Sequence, residues 1–259
     1  MNGPDTSLKP TERFSSRVEA YRRFRSRYPG EIIALLEERC ALTRESVVAD
    51  VGAGTGMLAE LFLANGNRVF AVEPNADMRA ACEELVARYP HLTCVDGTAE
   101  ETHLADRSVD FVAVGRALHW FDQEKCRPEF VRILREGGWV VLANQGPDRR
   151  SESVIREFQD ILKTHGLDYA RLRHRYDIES AAHRFFTGGE FHEAEFASPE
   201  EMAYEELEGF TLSLSVTPQP GHPGFPPMQQ ALREYFARHE SGGKIHMPMT
   251  CKIHFGHLR

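Results

Sequence analysis

The chain has 259 residues, enough for one large domain, and its 41% hydrophobic and 27% charged residues match ordinary globular usage, so wholesale disorder is excluded. The net charge is −8 even though residues 1–30 hold seven Lys/Arg against three Asp/Glu, so the body is strongly acidic and opposes a nucleic-acid partner. No apolar run approaches the roughly 20 residues of a membrane span, the N-terminus lacks the apolar stretch of a signal peptide, and five scattered cysteines without a CxxC pair point to a reducing, cytoplasmic compartment rather than to disulfides or a metal site.

Strand-like and helix-like stretches alternate along the first 146 residues. Val47–Val51 is a short apolar run ending in glycines, as a buried parallel strand would be. Gly56 to Ala64 is helix-competent. Arg68–Val72 predicts a second strand, stopped by Pro74. Met78, Ala81, Cys82, Leu85 and Tyr89 then recur at spacings of three and four, the stripe of a helix. Leu92 to Asp96 and Val109 to Val114 predict strands three and four. Phe130, Ile133 and Leu134 mark a helix that Gly137 and Gly138 are expected to end, and Trp139–Ala143 predicts strand five. This alternation implies βαβ units and a parallel sheet covered on both faces. After Pro147 the pattern changes. Helical stripes at 154–162, 203–214 and 228–236 flank a charged stretch at 166–190. Phe191 to Ser198 and Thr250 to Phe255 are the remaining strand candidates. Residues 217–227, with five prolines, read as a loop.

The chemistry concentrates at the strand ends. Asp50-Val51-Gly52-Ala53-Gly54-Thr55-Gly56 lies between the first strand and a helix, where glycines let the chain turn and let a ligand approach the backbone. The spacing is GxGxG. Met57 stands where a dinucleotide fingerprint needs its third glycine, which disfavours a nicotinamide enzyme, and the P-loop pattern is absent. Glu73 ends the second strand, where a carboxylate can accept both hydroxyls of a ribose. Asp96, Gly97, Thr98 and Ala99 end the third, where a base would bind edge-on.

Together VADVGAGTG, VFAVEPNADMR, DGTAE, VDFVAVGRALHWFD and FVRILREGGWVVL resemble the successive motifs of class I S-adenosylmethionine-dependent methyltransferases. The resemblance runs from residue 14 to 258 and is closest to the small-molecule branch that includes trans-aconitate methyltransferase-like and ubiquinone-biosynthesis-type enzymes. Ser26 departs from it, since that branch usually has proline there. The resemblance implies an α/β, Rossmann-like sheet of seven mostly parallel strands with helices on both faces. It implies S-adenosyl-L-methionine as cofactor, S-adenosyl-L-homocysteine as product and a small-molecule acceptor. Glu73 would hold the ribose, with Pro74 and Met78 beside it. Asp96, Gly97, Thr98 and Ala99 would flank the adenine. Asp50, Gly52, Ala53, Gly54, Gly56 and Gly115 would face the methionine end, whose carboxylate would meet Tyr21 or Arg25.

Methyl transfer from a sulfonium asks mainly for proximity, alignment and desolvation. His119, just beyond strand four, is the titratable base at that edge and the catalytic candidate; Arg116 and Trp120 join it as acceptor-binding candidates. No NPPY-type segment, which the resemblance would demand of an amide or exocyclic-amine methylase, follows strand four. A cofactor-binding sensor or partner subunit without transferase activity is the alternative. The expected organisation is a single domain, residues 1–259. It comprises a basic segment (1–30), a cofactor core (45–146), a cap over the acceptor side too short for a core of its own (166–227), and a final helix and strand (228–259).

Overall fold

Five parallel strands set the frame. A computed structural model of the chain describes residues 17–148, 150, 153–167, 169 and 178–258. Lys9 and Arg13 of the basic segment, residues 14–16 of the resemblance, and residues 168 and 170–177 of the charged stretch lie outside the described residues. The strands are β1 (Val47–Val51), β2 (Arg68–Val72), β3 (Leu92–Val95), β4 (Val109–Gly115) and β5 (Leu134–Pro147), then β6 (Phe191–Ala197). After β7 (Glu200–Met202), β8 (Glu240–Ser241) and β9 (Lys244–Met247) comes β10 (Met249–Gly256). The main sheet has seven strands among the described residues, in the order β3-β2-β1-β4-β5-β10-β6. Pairing is parallel from β3 to β5, and β10 runs antiparallel to both β5 and β6.

Helices cover both faces, as the unbroken apolar strands require. On one face α2 (Glu31–Cys40) and α3 (Met57–Asn65) bury Ile32, Leu36 and Phe62 against Val48, Phe111 and Ile253. After β2 comes α4 (Ala76–Glu83), which buries Cys82 in the same cluster. On the other face α5 (Gln123–Ile133) and α7 (Ile178–Phe185) bury Phe130, Ile133 and Phe185 against Val51, Val112 and Val140. A third apolar cluster joins α6 (Val154–His165), α8 (Tyr204–Leu212) and α9 (Phe225–His239) to the small sheet β7-β9-β8, through Phe158, Phe210, Leu232, Tyr235 and Met247.

Two expectations are corrected. Gly137 and Gly138 do not end the helix, which stops at Ile133; they lie inside β5. Pairing jumps there from Val109–Leu134 to Phe111–Trp139, a bulge that glycines accommodate. The proline-rich stretch is not loop throughout, since Phe225–Pro227 begin α9, where the missing N–H of proline costs nothing. Phe185 and Phe186, inside 166–227, pack in the sheet-face core. Leu207 and Phe210, from the same range, are buried in a core shared with Phe158 of α6, Leu232 of α9 and Met247 of β9.

Candidate functional site

Because β1, β2 and β4 are parallel, their carboxyl ends deliver the predicted residues to one edge of the sheet. The β1–α3 loop is anchored there by the N–H groups of Gly52 and Ala53, which donate to the Val72 carbonyl at 2.9 and 3.1 Å. Its three glycines differ in surroundings. A Cβ at Gly52 would lie 2.7 Å from that of Ala117, and one at Gly56 would lie 2.7 Å from Cys82 Sγ. At Gly54, with φ of 57°, such an atom would point into open space. Gly54 is thus where the loop backbone is open to a ligand, while its neighbours are glycine for packing.

Two buried carboxylates flank the loop. Asp50 is 1% exposed; its Oδ2 accepts the Ala59 N–H at 2.9 Å, and its Oδ1 has no hydrogen-bond partner. Burial, seconded by the Glu73 charge and opposed by the Ala59 N–H, pushes its carboxyl up to about 7. Thr55 Oγ1, also buried, has no hydrogen-bond partner either. Glu73 accepts the Gly54 N–H on Oε2 and the Asn75 N–H on Oε1, both at 2.8 Å. Burial raises its carboxyl as well, against the pull of those two N–H groups and Arg79. Each Glu73 oxygen keeps a lone pair for a further donor.

Asn75 caps α4 by accepting the Met78 N–H at 2.8 Å, which fixes Pro74 and the buried Met78 next to Glu73. Arg79 donates to the Glu73 carbonyl at 2.7 Å and to Asp96 at 3.2 Å, tying the ends of β2 and β3 together. Asp96 is exposed, Thr98 Oγ1 accepts the Glu101 N–H at 3.1 Å, and Ala99 is packed in the core. Gly97 sits tight against the Thr102 carbonyl. Gly115 is glycine because the Tyr28 hydroxyl occupies the place of its side chain, at 2.6 Å.

Beside the loop, behind Ala117 and Phe121, opens a cavity of about 590 Å³. It gathers five predicted residues from distant parts of the chain: Tyr21, Arg25, Arg116, His119 and Trp120. The loop glycines, Asp50, Glu73 and Asp96 do not line it, whereas Tyr21 and Arg25, expected with them at the methionine end, line it together with the expected acceptor-binding residues. The Arg25 guanidinium lies 5.0 Å from the Tyr21 ring and 5.8 Å from that of Phe210, and donates to the Ser213 carbonyl at 3.3 Å. His119 and Trp120 follow β4 in a short 3-10 turn, with ring centroids 4.8 Å apart.

Sequence reasoning missed Thr55, Asn144, Arg150 and Lys252. The last three line the cavity from β5, β10 and the turn after β5. One signal was present: the last strand alternates Thr250, Lys252, His254, and a lysine in a strand covered on both faces marks a polar opening. Asn144 and Arg150 carry no such local signal.

Residues 49–142, from β1 into β5, match the family model described as a methyltransferase domain. Uncharacterized methyltransferases of Mycobacterium tuberculosis and Mycobacterium bovis are 39% identical over 153 residues, which is 59% of this chain and 60% of those proteins. An uncharacterized methyltransferase of Schizosaccharomyces pombe is 30% identical over 50% of this chain and 51% of its own. The chain therefore spans less than two thirds of these relatives. Among solved structures, a provisionally named type II methyltransferase from Anaeromyxobacter dehalogenans superposes with a TM-score of 0.62 at 21% identity, covering 91% of this chain and 98% of that one. A Haemonchus contortus phosphoethanolamine N-methyltransferase, solved with S-adenosylhomocysteine, gives 0.54 at 16% identity over 94% and 57%. The fold is that of the class I methyltransferases, and residues 49–142 match the methyltransferase-domain model. Among the described residues no helix is long and apolar enough to cross a membrane.

Proposed function

We propose that the protein is an S-adenosylmethionine-dependent methyltransferase acting on a small molecule. One observation carries this reading: an open glycine, Gly54, stands with two buried carboxylates, Asp50 and Glu73, at the same sheet edge where Arg116, His119 and Trp120 leave β4 to line a cavity large enough for a small organic acceptor. The donor set fits the cofactor. The unpartnered Asp50 Oδ1 suits an ammonium, the spare lone pairs of Glu73 suit ribose hydroxyls, and the Gly54 backbone permits close approach. When bound, S-adenosylmethionine supplies a methyl group activated by positive sulfur.

This chain's residues bind, align and exclude water. His119 is placed to hold a proton of the acceptor, and Trp120 and Phe210 shield the cavity from solvent. A transferase is preferred to a cofactor sensor because a sensor has no need of a second, aromatic-walled cavity beside the loop. The five free thiols agree with the cytoplasm as its location.

Calorimetry with S-adenosylhomocysteine tests the donor site. The wild type is expected to bind, and Glu73→Ala to weaken binding by about 1.5–3 kcal/mol, as for hydrogen bonds to a charged acceptor. Equal affinities remove the ribose assignment. Release of labelled S-adenosylhomocysteine with one member of an acceptor panel then separates enzyme from sensor.

A further inference from the structure

We propose that the acceptor is an organic anion, with an aromatic or aliphatic body, whose charged group docks on Arg116. The inference rests on the transferase reading and names its substrate class. The whole chain carries a net charge of −8, yet the described residues lining the cavity include Arg25, Arg116, Arg150 and Lys252 against the single carboxylate Asp148. The two ends of the cavity differ. At the β5–β10 end, Arg150 is bonded to Asp148 at 3.0 Å and paired also with Glu195, and Lys252 acts on the same Asp148, so that end is internally compensated.

At the β4 end the guanidinium of Arg116 is held but underused. It lies 4.9 Å from the Tyr28 ring and 5.6 Å from the Tyr21 ring, which fix its plane. Its terminal nitrogens reach the Ser26 carbonyl at 3.3 Å and Met57 Sδ at 3.2 Å, both long or weak acceptors, the Tyr28 hydroxyl accepts a further hydrogen bond from the guanidinium, and its Nε is buried with no hydrogen-bond partner. Glu200, on β7, acts on Arg116 electrostatically but does not line the cavity. Arg116 also holds a left-handed backbone, φ 55°, a conformation that a non-glycine residue keeps at a cost and that marks functional turns. A planar fork of donors with spare capacity, in a partly desolvated cavity, is the geometry that recognises a carboxylate or phosphate. Phe158, Leu162, Phe210, Leu214 and Trp120 supply the apolar wall for the rest of the molecule.

The test uses a matched pair of probes, 4-phenylbutanoate and 4-phenylbutanamide, displacing the neutral fluorophore N-phenyl-1-naphthylamine from the full chain loaded with S-adenosylhomocysteine. The carboxylate is expected to displace at a concentration about tenfold lower than the amide, the scale of one charge-assisted hydrogen-bond pair. Arg116→Gln is expected to abolish that preference while S-adenosylhomocysteine affinity stays within about threefold. Equal displacement by the two probes in the wild type, or displacement by neither, overturns the proposal even if the variant does not fold. So does a folded variant that keeps the preference. A variant that instead loses S-adenosylhomocysteine assigns Arg116 to the donor and also overturns it. A wild type that fails to bind S-adenosylhomocysteine is a failure of the transferase reading, read out separately by calorimetry.

Discussion

Asp50 is the residue on which the proposed donor site turns. A carboxyl raised to about 7 by burial, against an ordinary value near 3.9 in the unfolded chain, keeps its proton in the folded state across that interval. Its contribution to stability is therefore fully present below about pH 4 and is lost as pH rises through about 7. The melting temperature of the ligand-free protein is expected to fall between pH 5 and pH 8, and Asp50→Asn to flatten that slope. A ligand ammonium reverses the preference, because it favours the carboxylate. S-adenosylhomocysteine affinity of the wild type should rise across the same interval, and calorimetry at pH 6 and pH 8 checks the sign. An affinity independent of pH would place the ammonium elsewhere.

Two elements depend on a single missing side chain. In the β1–α3 loop, Gly54 faces open space, so the Cβ of Gly54→Val meets no protein atom within 4 Å, and the positive φ costs about 1–2 kcal/mol. The variant is expected to fold and to lose S-adenosylhomocysteine binding altogether; a folded variant that binds would show that the ligand does not approach this loop. In α8, Gly209 sits mid-helix, where glycine is about 1 kcal/mol worse than alanine. Its reason is Phe24 of α1 (Val18–Phe24), whose ring would lie 2.3 Å from an added Cβ. The same junction is bound by Arg17, 7% exposed, whose guanidinium donates to the carbonyls of Leu212, Leu214 and Thr217 at 2.6–2.9 Å. Gly209→Ala should push α1 away, against the usual helix-stabilising direction of the change. Early proteolysis between residues 17 and 28, with a lowered melting temperature, is the readout; a more stable variant would mean that Phe24 yields freely.

At the scale of the whole molecule, the sheet and the α6–α8–α9 cluster divide the work. The sheet edge carries the proposed donor group, and the cluster walls the cavity with Phe158 and Phe210, ring centroids 6.1 Å apart. Phe158 is 1% exposed and also stacks on Tyr235 at 6.0 Å, so Phe158→Ala is expected to cost about 3–5 kcal/mol in denaturant titration. Donor affinity should stay within about threefold while displacement of N-phenyl-1-naphthylamine from the cavity fails. Loss of both together would show that the cluster and the donor site are one cooperative element.

The amino-acid sequence by itself determined the sheet and the gathering of its strand-end residues at one edge. Five apolar runs, each closed by glycine, proline or a carboxylate, have no stable alternative to parallel strands buried on both faces, and the alternation delivers Asp50, Gly54 and Glu73 to one edge whatever the rest of the chain does. What only the tertiary structure decided is non-local. The β5 bulge at Gly137 and Gly138 depends on pairing with Val109 and Phe111, so no window around the glycines distinguishes it from a helix stop. The core of the α6–α8–α9 cluster draws on residues 154–165 and 200–249, and each stripe alone reads as a surface helix with no named neighbour. The cavity joins Arg25, Arg116 and Lys252, far apart in sequence, and a charged side chain carries no local mark of the wall it completes. Periodicity reports which face of an element is buried; only folding settles against what, and it is that second fact which sets a cavity near the strand-end residues.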